Sequence, residues 1–490
     1  MKYNVVSGEL AGRGADALIV PVFEGESSRT GSLKGELAEV DALLNGLLGK
    51  VLKSGELEPK LNKTMVLHAN GDRVVLVGGG KRAELDVDKA LQMAGSAVRA
   101  LPSVCRAATF VLRGDLPAQQ QGQAVSEGAG IALFRSDFYK SDRKDPKLQR
   151  LEVLAPAADA KIVERGLKDG EVLAEAVNFA RRLADEPSNL MTPTLLAEAA
   201  SGIASGAVTV EVLERKDMER LKMGSLLGVA RGSDEPPKMI VMRYRAPKPS
   251  KITVGLVGKG ITFDTGGISL KPSNHMEEMK TDMSGGANVI GAMRTLAHFQ
   301  PAVNVIGVVP ATENMPSGRA IKPGDVLRAS NGKTIEVLNT DAEGRLILAD
   351  GMIYARNQGV THLVDIATLT GAIVTALGKI TTGVFGNNQA WIDELLAAGK
   401  RAGEKMWQLP LFQEYADMMK GDISDLKNIS GSTEAGSITA AGFLQAFAGD
   451  TPWVHLDIAG TSRSGKDLGY MAKGATAAGL RTMVELVRGL

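Results

Sequence analysis

Six runs of branched aliphatic residues in the last two-thirds of the chain most narrowly limit what it can fold into. They lie at 239–242, 252–257, 303–309, 334–338, 362–366 and 453–458. Each has the length of a strand, and their near-continuous Val, Ile and Leu content predicts a sheet buried on both faces. Helical patterns at 287–298 and 345–356 separate several of them. In open sheets of this kind ligands sit beyond the carboxyl ends of the strands. The residues that follow the runs are therefore where chemistry is expected.

The first third alternates in the same way. Apolar runs at 17–23, 74–77, 107–112 and 130–134 read as strands, with helical spacing over 37–48 and 87–101, as in Val87, Ala90, Leu91 and Ala94. This predicts a smaller α/β domain. A helical pattern over 161–184 ends at DEPSNLMTP, where Pro187 and Pro193 act as breakers. The expected division is an N-terminal α/β domain over 1–155, a connecting helix and linker over 156–190, and a C-terminal α/β domain over 191–490. No internal repeat or low-complexity tract interrupts it.

Composition narrows the function classes. At 490 residues the chain is too long for one ordinary core. Its 57 basic and 56 acidic residues leave a formal charge of +1, which offers no electrostatic footing for nucleic acid or an anionic membrane. A single cysteine, Cys105, rules out a disulfide within the chain and leaves a thiolate metal site without partners. The opening MKYNVVSGELAGRG has no signal-peptide pattern, and no apolar run approaches the ~18 residues of a membrane span. The expected compartment is a reduced cytoplasm.

Two strand ends carry unusual residues. After the run ending at Val257 comes GKGITFDTGGISLKPSNHMEEMKTDMSGG, which places Lys259, Asp264, Lys271 and Asp282 in a glycine-rich stretch. After Leu338 comes NTDAEGRL, with Asp341, Glu343 and Arg345 just ahead of a helix. Four carboxylates and two lysines on such loops either solvate as surface pairs, worth about 0–1 kcal/mol each, or converge on cations. Hard oxygen ligands suit Mn²⁺ and Mg²⁺, and Zn²⁺ also accepts carboxylate. The five histidines are scattered, and the closest pair, His275 and His298, lies too far apart for an HExxH helix. A bound metal would therefore be held mainly by oxygen, with a lysine nitrogen as a ligand only if that lysine is neutral.

Other signals are bland. GGGK at 78–81 lacks the rest of a phosphate loop, no GxSxG elbow occurs, and Cys105 beside a strand reads as core packing. Met279 stands among the charged loop residues and is placed to line an apolar side-chain pocket.

With these residues in view, NTDAEGRL resembles the signature of the leucyl aminopeptidase family, and GKGITFDTGGISLKP resembles that family's other metal-binding stretch. The likeness extends to DIATLTGA at 365–372 and HLDIAGT at 455–461, and is weaker in the N-terminal third. It implies a bacterial-type, two-metal exopeptidase that removes N-terminal Leu and other apolar residues from peptides. Lys259, Asp264, Asp282 and Glu343 match the ligands of one ion (Mn²⁺ or Zn²⁺), and Asp264, Asp341 and Glu343 those of the other. Lys271 and Arg345 match the catalytic residues that are not ligands, the arginine holding a bicarbonate. Met279, Asn339, Thr368, Leu369, Gly371 and Ala459 match positions near the substrate. The resemblance further implies a macro-domain-like fold for the N-terminal domain, a central mixed sheet covered by helices in the C-terminal one, and a homohexamer. A DNA-binding accessory or regulatory role, found in some bacterial relatives, is the alternative.

Overall fold

The computed structural model describes residues 1–8, 10, 14–26, 33–69, 71–248 and 250–490. Contacts divide these into two compact α/β units, Met1–Asn178 with Gly465–Lys473, and Phe179–Ser464 with Gly474–Leu490. The helix expected over 161–184 is one helix, Ala160–Asp185, and the division falls inside it.

In the first unit six strands form one sheet in the order Lys2–Val6, Arg150–Leu154, Ala107–Val111, Ala17–Val22, Asp72–Gly78 and Thr64–Ala69. All neighbours are parallel except the last pair. Successive side chains feed opposite faces: Ile19 and Val75 join one apolar cluster, Val20 and Val74 another. Val87–Ala100 and Ala118–Ala132 cover the first face, and Glu36–Leu43 and Leu47–Ser54 the second.

Two expectations are corrected here. The run 130–134 is the end of the helix Ala118–Ala132 and the turn after it, not a strand. Val125, Ala129 and Ala132 recur at helical spacing in the core, a pattern that five apolar residues alone cannot distinguish from a strand. The helix expected over 37–48 is broken in two at Asn45 and Gly46, which both take positive φ (53° and 79°).

The second unit is built on a nine-stranded mixed sheet. Its centre is four parallel strands in the order Trp453–Asp457, His362–Ala367, Thr253–Gly258 and Asn304–Asn314. Lys238–Tyr244 and then Val208–Leu213 add antiparallel on one side; on the other Thr382–Gly386 adds antiparallel, and Met406–Gln408 pairs parallel to it. The expected strand at 334–338 forms as Thr334–Glu336, but in a separate three-stranded sheet with Val326–Arg328 and Leu426–Lys427.

Both faces of the central strands are covered. Val257 packs toward Gly351 of the helix Gly344–Asn357, while Gly258 faces Gly285 and Gly286 of the helix Ser284–Phe299. Continuous apolar strands follow from that double burial. The strand Thr253–Gly258 stops at Lys259 and resumes as Gly260–Asp264 against the far end of Asn304–Asn314. At the break, Lys259 N–H donates to the Ile366 carbonyl (3.0 Å), and its own carbonyl accepts from Gly286 N–H (2.7 Å). The interruption thus satisfies its backbone groups while turning the Lys259 side chain out of the ladder.

Candidate metal centre

The parallel strands deliver their carboxyl ends to one place. Lys259 sits at the break just described, Asp264 at the end of the resumed strand, and Asp282 directly after the 3-10 turn Met276–Thr281. Asp341 and Glu343 occupy the turn that opens Gly344–Asn357. Lys259, Asp264, Asp282 and Glu343 are all buried.

The side chains converge. Lys259 Nζ lies 2.7 Å from Asp282 Oδ2, 2.9 Å from Glu343 Oε1 and 3.0 Å from the Thr368 carbonyl oxygen, to which it donates. Lys271 Nζ lies 2.9 Å from Asp264 Oδ2 and also pairs with Asp341 Oδ1. Asp264, Asp341 and Glu343 each bring a carboxylate oxygen within 4.8 Å of the other two. Of the two outcomes open to these charges, the fold realises convergence.

Four carboxylates against two ammoniums leave this buried cluster short of positive charge. The titration behaviour reflects that shortage. Burial first, then repulsion from Asp264, pushes Glu343 up to about 8. Burial raises Asp282 to about 6 despite Lys259, and raises Asp341 as well. Burial pulls both lysines down, but the facing carboxylates outweigh it and hold each ammonium above its ordinary value. Asp282 Oδ2, Asp341 Oδ1 and Glu343 Oε1 are buried and, among the described residues, have no partner beyond the lysine that each faces. Underused carboxylate oxygens with a deficit of positive charge are what hard divalent cations complete. By this test the donor set fits divalent cations. Ligation by Lys259 would require its neutral amine, a form that adjacent dications would favour.

Arg345 follows in the first turn of the helix and is buried. Its Nη1 donates to the Asn428 carbonyl (2.7 Å), whereas Nε has no partner among the described residues. Burial lowers the guanidinium to about 10, which still leaves it charged at neutral pH. Thr368 Oγ1 donates to Asp282 Oδ1 (2.7 Å), so Thr368 is part of the cluster. Asn339 Oδ1 accepts from Asp341 N–H (2.8 Å) within the same turn. Met279 adjoins the cluster through its carbonyl, which accepts from Asp282 N–H (3.2 Å). Leu369 and Ala459 stand on neighbouring loops after the strands His362–Ala367 and Trp453–Asp457. Gly371 is exposed at the start of the helix Gly371–Leu377, with open space where a Cβ would be.

Three residues that the sequence reading passed over hold this arrangement. Asn314 Nδ2 donates to Asp264 Oδ1 (2.8 Å) and the Thr340 carbonyl (3.1 Å), and lies 3.4 Å from Glu343 Oε2. Asn428 Oδ1 accepts from Leu338 N–H (2.8 Å) and Asn339 N–H (3.3 Å), while its Nδ2 donates to the Asn339 carbonyl (2.6 Å). Asp457 accepts from the loops bearing Leu369 and Ala459. Asn314 ends a Val-rich strand, so a search of strand ends carried past Val309 would have reached it.

Comparison with known proteins gives consistent results. Residues 178–484 match the catalytic domain of the cytosol aminopeptidase family, and residues 19–143 match that family's N-terminal domain. The chain is 43% identical to a probable cytosol aminopeptidase of Alkaliphilus oremlandii over 100% of both proteins. It is 47% identical to one of Solibacter usitatus over 96% of each. Among solved structures, a tomato leucine aminopeptidase mutant superposes with a TM-score of 0.91 at 34% identity, covering 100% of this chain and 97% of that one. The bottromycin maturation enzyme BotP in complex with Mn gives 0.85 at 33%, covering 97% of this chain and 99% of that one.

Proposed function

The chain belongs to the cytosol aminopeptidase family, and from that premise we propose that its buried cluster holds two divalent cations and removes N-terminal residues from peptides, Leu and other apolar residues first. The observation that carries this reading is the convergence of the carboxylates at 264, 282, 341 and 343 on one place short of positive charge, where Asp282 Oδ2, Asp341 Oδ1 and Glu343 Oε1 have only the facing lysines as partners among the described residues. Lys259, Asp264, Asp282 and Glu343 would hold one ion. Asp264, Asp341 and Glu343 would hold the other, with the Asp341 carbonyl contributing. Such ions, Mn²⁺ or Zn²⁺, supply a water ionised near neutral pH and polarise the scissile carbonyl.

The rest of the work falls to protein groups. Lys271, a half-buried ammonium beside Asp264 and Asp341, is placed to stabilise the oxyanion that develops at the carbonyl. Arg345 cannot act as a base. Its unpartnered Nε and fixed position suit it to gripping a planar anion such as bicarbonate, which would relay the proton to the leaving amine. Met279, Asn339, Thr368, Leu369, Gly371 and Ala459 surround the substrate, Met279 and Ala459 facing the first side chain. The enzyme works in the cytoplasm as a homohexamer, as the family resemblance implies. A DNA-binding role gains no support from a formal charge of +1.

The direct test is a Leu-initiated peptide offered to the Mn²⁺-loaded protein with a free or an acetylated amino terminus. Stepwise loss of residues from the free peptide alone is expected. Internal cleavage, or equal attack on the acetylated peptide, contradicts exopeptidase action.

A further inference from the structure

We propose that Asp457 is a positioning residue for substrate selection, its carboxylate fastening two loops into the wall that meets the first side chain of the peptide. The inference rests on the placement of Leu369 and Ala459 beside the substrate, proposed above, and goes beyond it by naming what holds them.

Asp457 ends the strand Trp453–Asp457 and pairs in register with Ala367, the last residue of the parallel strand His362–Ala367. The two strands therefore release their loops side by side, though the loops are far apart in sequence. Asp457 Oδ1 accepts from Leu369 N–H (3.2 Å) on one loop and Ala459 N–H (3.2 Å) on the other, with Thr370 N–H at 3.5 Å. Its Oδ2 accepts from Thr370 Oγ1 (2.6 Å). The Thr370 hydroxyl also lies 2.8 Å from Ser437 Oγ on the helix Gly436–Ala448, and caps Gly371–Leu377 by accepting from Ile373 N–H (3.2 Å). One side chain thus ties both loops and, through Thr370, two helices.

The tie is well protected. Asp457 is 1% exposed, so water does not compete for its oxygens. The backbone of Leu369 and Ala459 is held by an anchor that stands behind the site, while their side chains remain half-buried. A pocket wall selects among apolar side chains only if it stays in place, since displacement of about 1 Å near a reacting centre can cost on the order of 100-fold. The hydrogen bonds of Asp457 go to Leu369, Thr370 and Ala459 and to none of the five proposed metal ligands, so its removal should alter selection without emptying the metal site.

The experiment compares leucine and alanine p-nitroanilides on wild type, D457A, D457N and A459L, with Mn²⁺ stoichiometry measured on each. D457N keeps an acceptor oxygen of the same shape and serves as the conservative rescue. In D457A the KM for the leucine substrate should rise about tenfold, and the Leu-to-Ala preference in kcat/KM should fall about as much, the scale of discrimination in an apolar pocket. Mn²⁺ stoichiometry should hold, kcat should fall less than about threefold, and D457N should recover most of the preference. A folded D457A with unchanged preference overturns the proposal, as does a D457N as unselective as D457A. If D457A does not fold, T370V removes one donor, and an unchanged leucine KM there overturns it equally. A459L tests the underlying placement: if it leaves the preference untouched, Ala459 does not meet the side chain, and the proposal falls with that reading. A selective change in A459L with none in D457A or T370V defeats the role of Asp457 alone.

Discussion

Of the residues around the cluster, the five carboxylates and lysines of the proposed ligand set were visible in the sequence, whereas Asn314, Asn428 and Asp457 were not. Lys259, Asp264, Asp341 and Glu343 sit in contiguous stretches whose spacing is itself the signal. Asn314 and Asn428 are single amides amid ordinary sequence, and only packing brings them to Asp264 and to the Leu338–Asn339 backbone. Groups that orient ligands commonly govern affinity, and their loss costs about 10- to 100-fold. Asn314→Leu, similar in size but without a donor, is accordingly expected to weaken Mn²⁺ binding by about that factor in a calorimetric titration. Unaltered affinity would show that Asp264 needs no such support. Arg345→Ala should leave Mn²⁺ affinity within a few-fold and lower kcat by about 10²–10⁴, the range for a lost proton-transfer device. A loss confined to KM would instead make Arg345 a binding residue.

The way elements cross explains why the glycines around the site lie where they do. Gly285 opens the helix Ser284–Phe299 against the broken strand, and a Cβ there would collide with the Ile366 carbonyl and come within 3.0 Å of Lys259 N. Gly285→Ala should therefore destabilise the protein by about 1–3 kcal/mol in denaturant titrations, as overpacking does. No loss of stability would mean that the strand break can shift freely. Asp350, on the next helix, provides a pH signal from a group outside the proposed metal ligands. Its carboxylate accepts from Leu226 N–H (2.9 Å) and Ser330 N–H (2.8 Å), yet burial lifts it to about 6. A carboxyl raised in the folded state stabilises below its unfolded value near 4, and that stabilisation is lost as pH rises through about 6. Relative to Asp350→Asn, the wild type should gain about 2 kcal/mol on going from pH 7 to pH 4. A difference that stays flat with pH would place Asp350 in a more polar setting. At this scale the sequence located the central strands, because double burial writes itself as unbroken Val, Ile and Leu. It misread 130–134, where a helix end and a strand share the same short apolar pattern.

For the whole chain, two α/β units were legible from length and from two blocks of alternating strands and helices. That residues 465–473 return to the first unit was not, since no periodicity marks a segment whose place depends on distant contacts. The proposed activity depends on the second unit presenting its strand ends as a cation site, and this can be measured outright. Protein stripped of metal is titrated with Mn²⁺ while release from leucine p-nitroanilide is followed, with Asp341→Ala in parallel. Two bound ions require no release from the stripped protein, activity that rises to a plateau at two Mn²⁺ per chain, and neither full occupancy nor comparable activity in Asp341→Ala. Full hydrolysis by the stripped protein, or a plateau at two ions in the variant with activity intact, would contradict it.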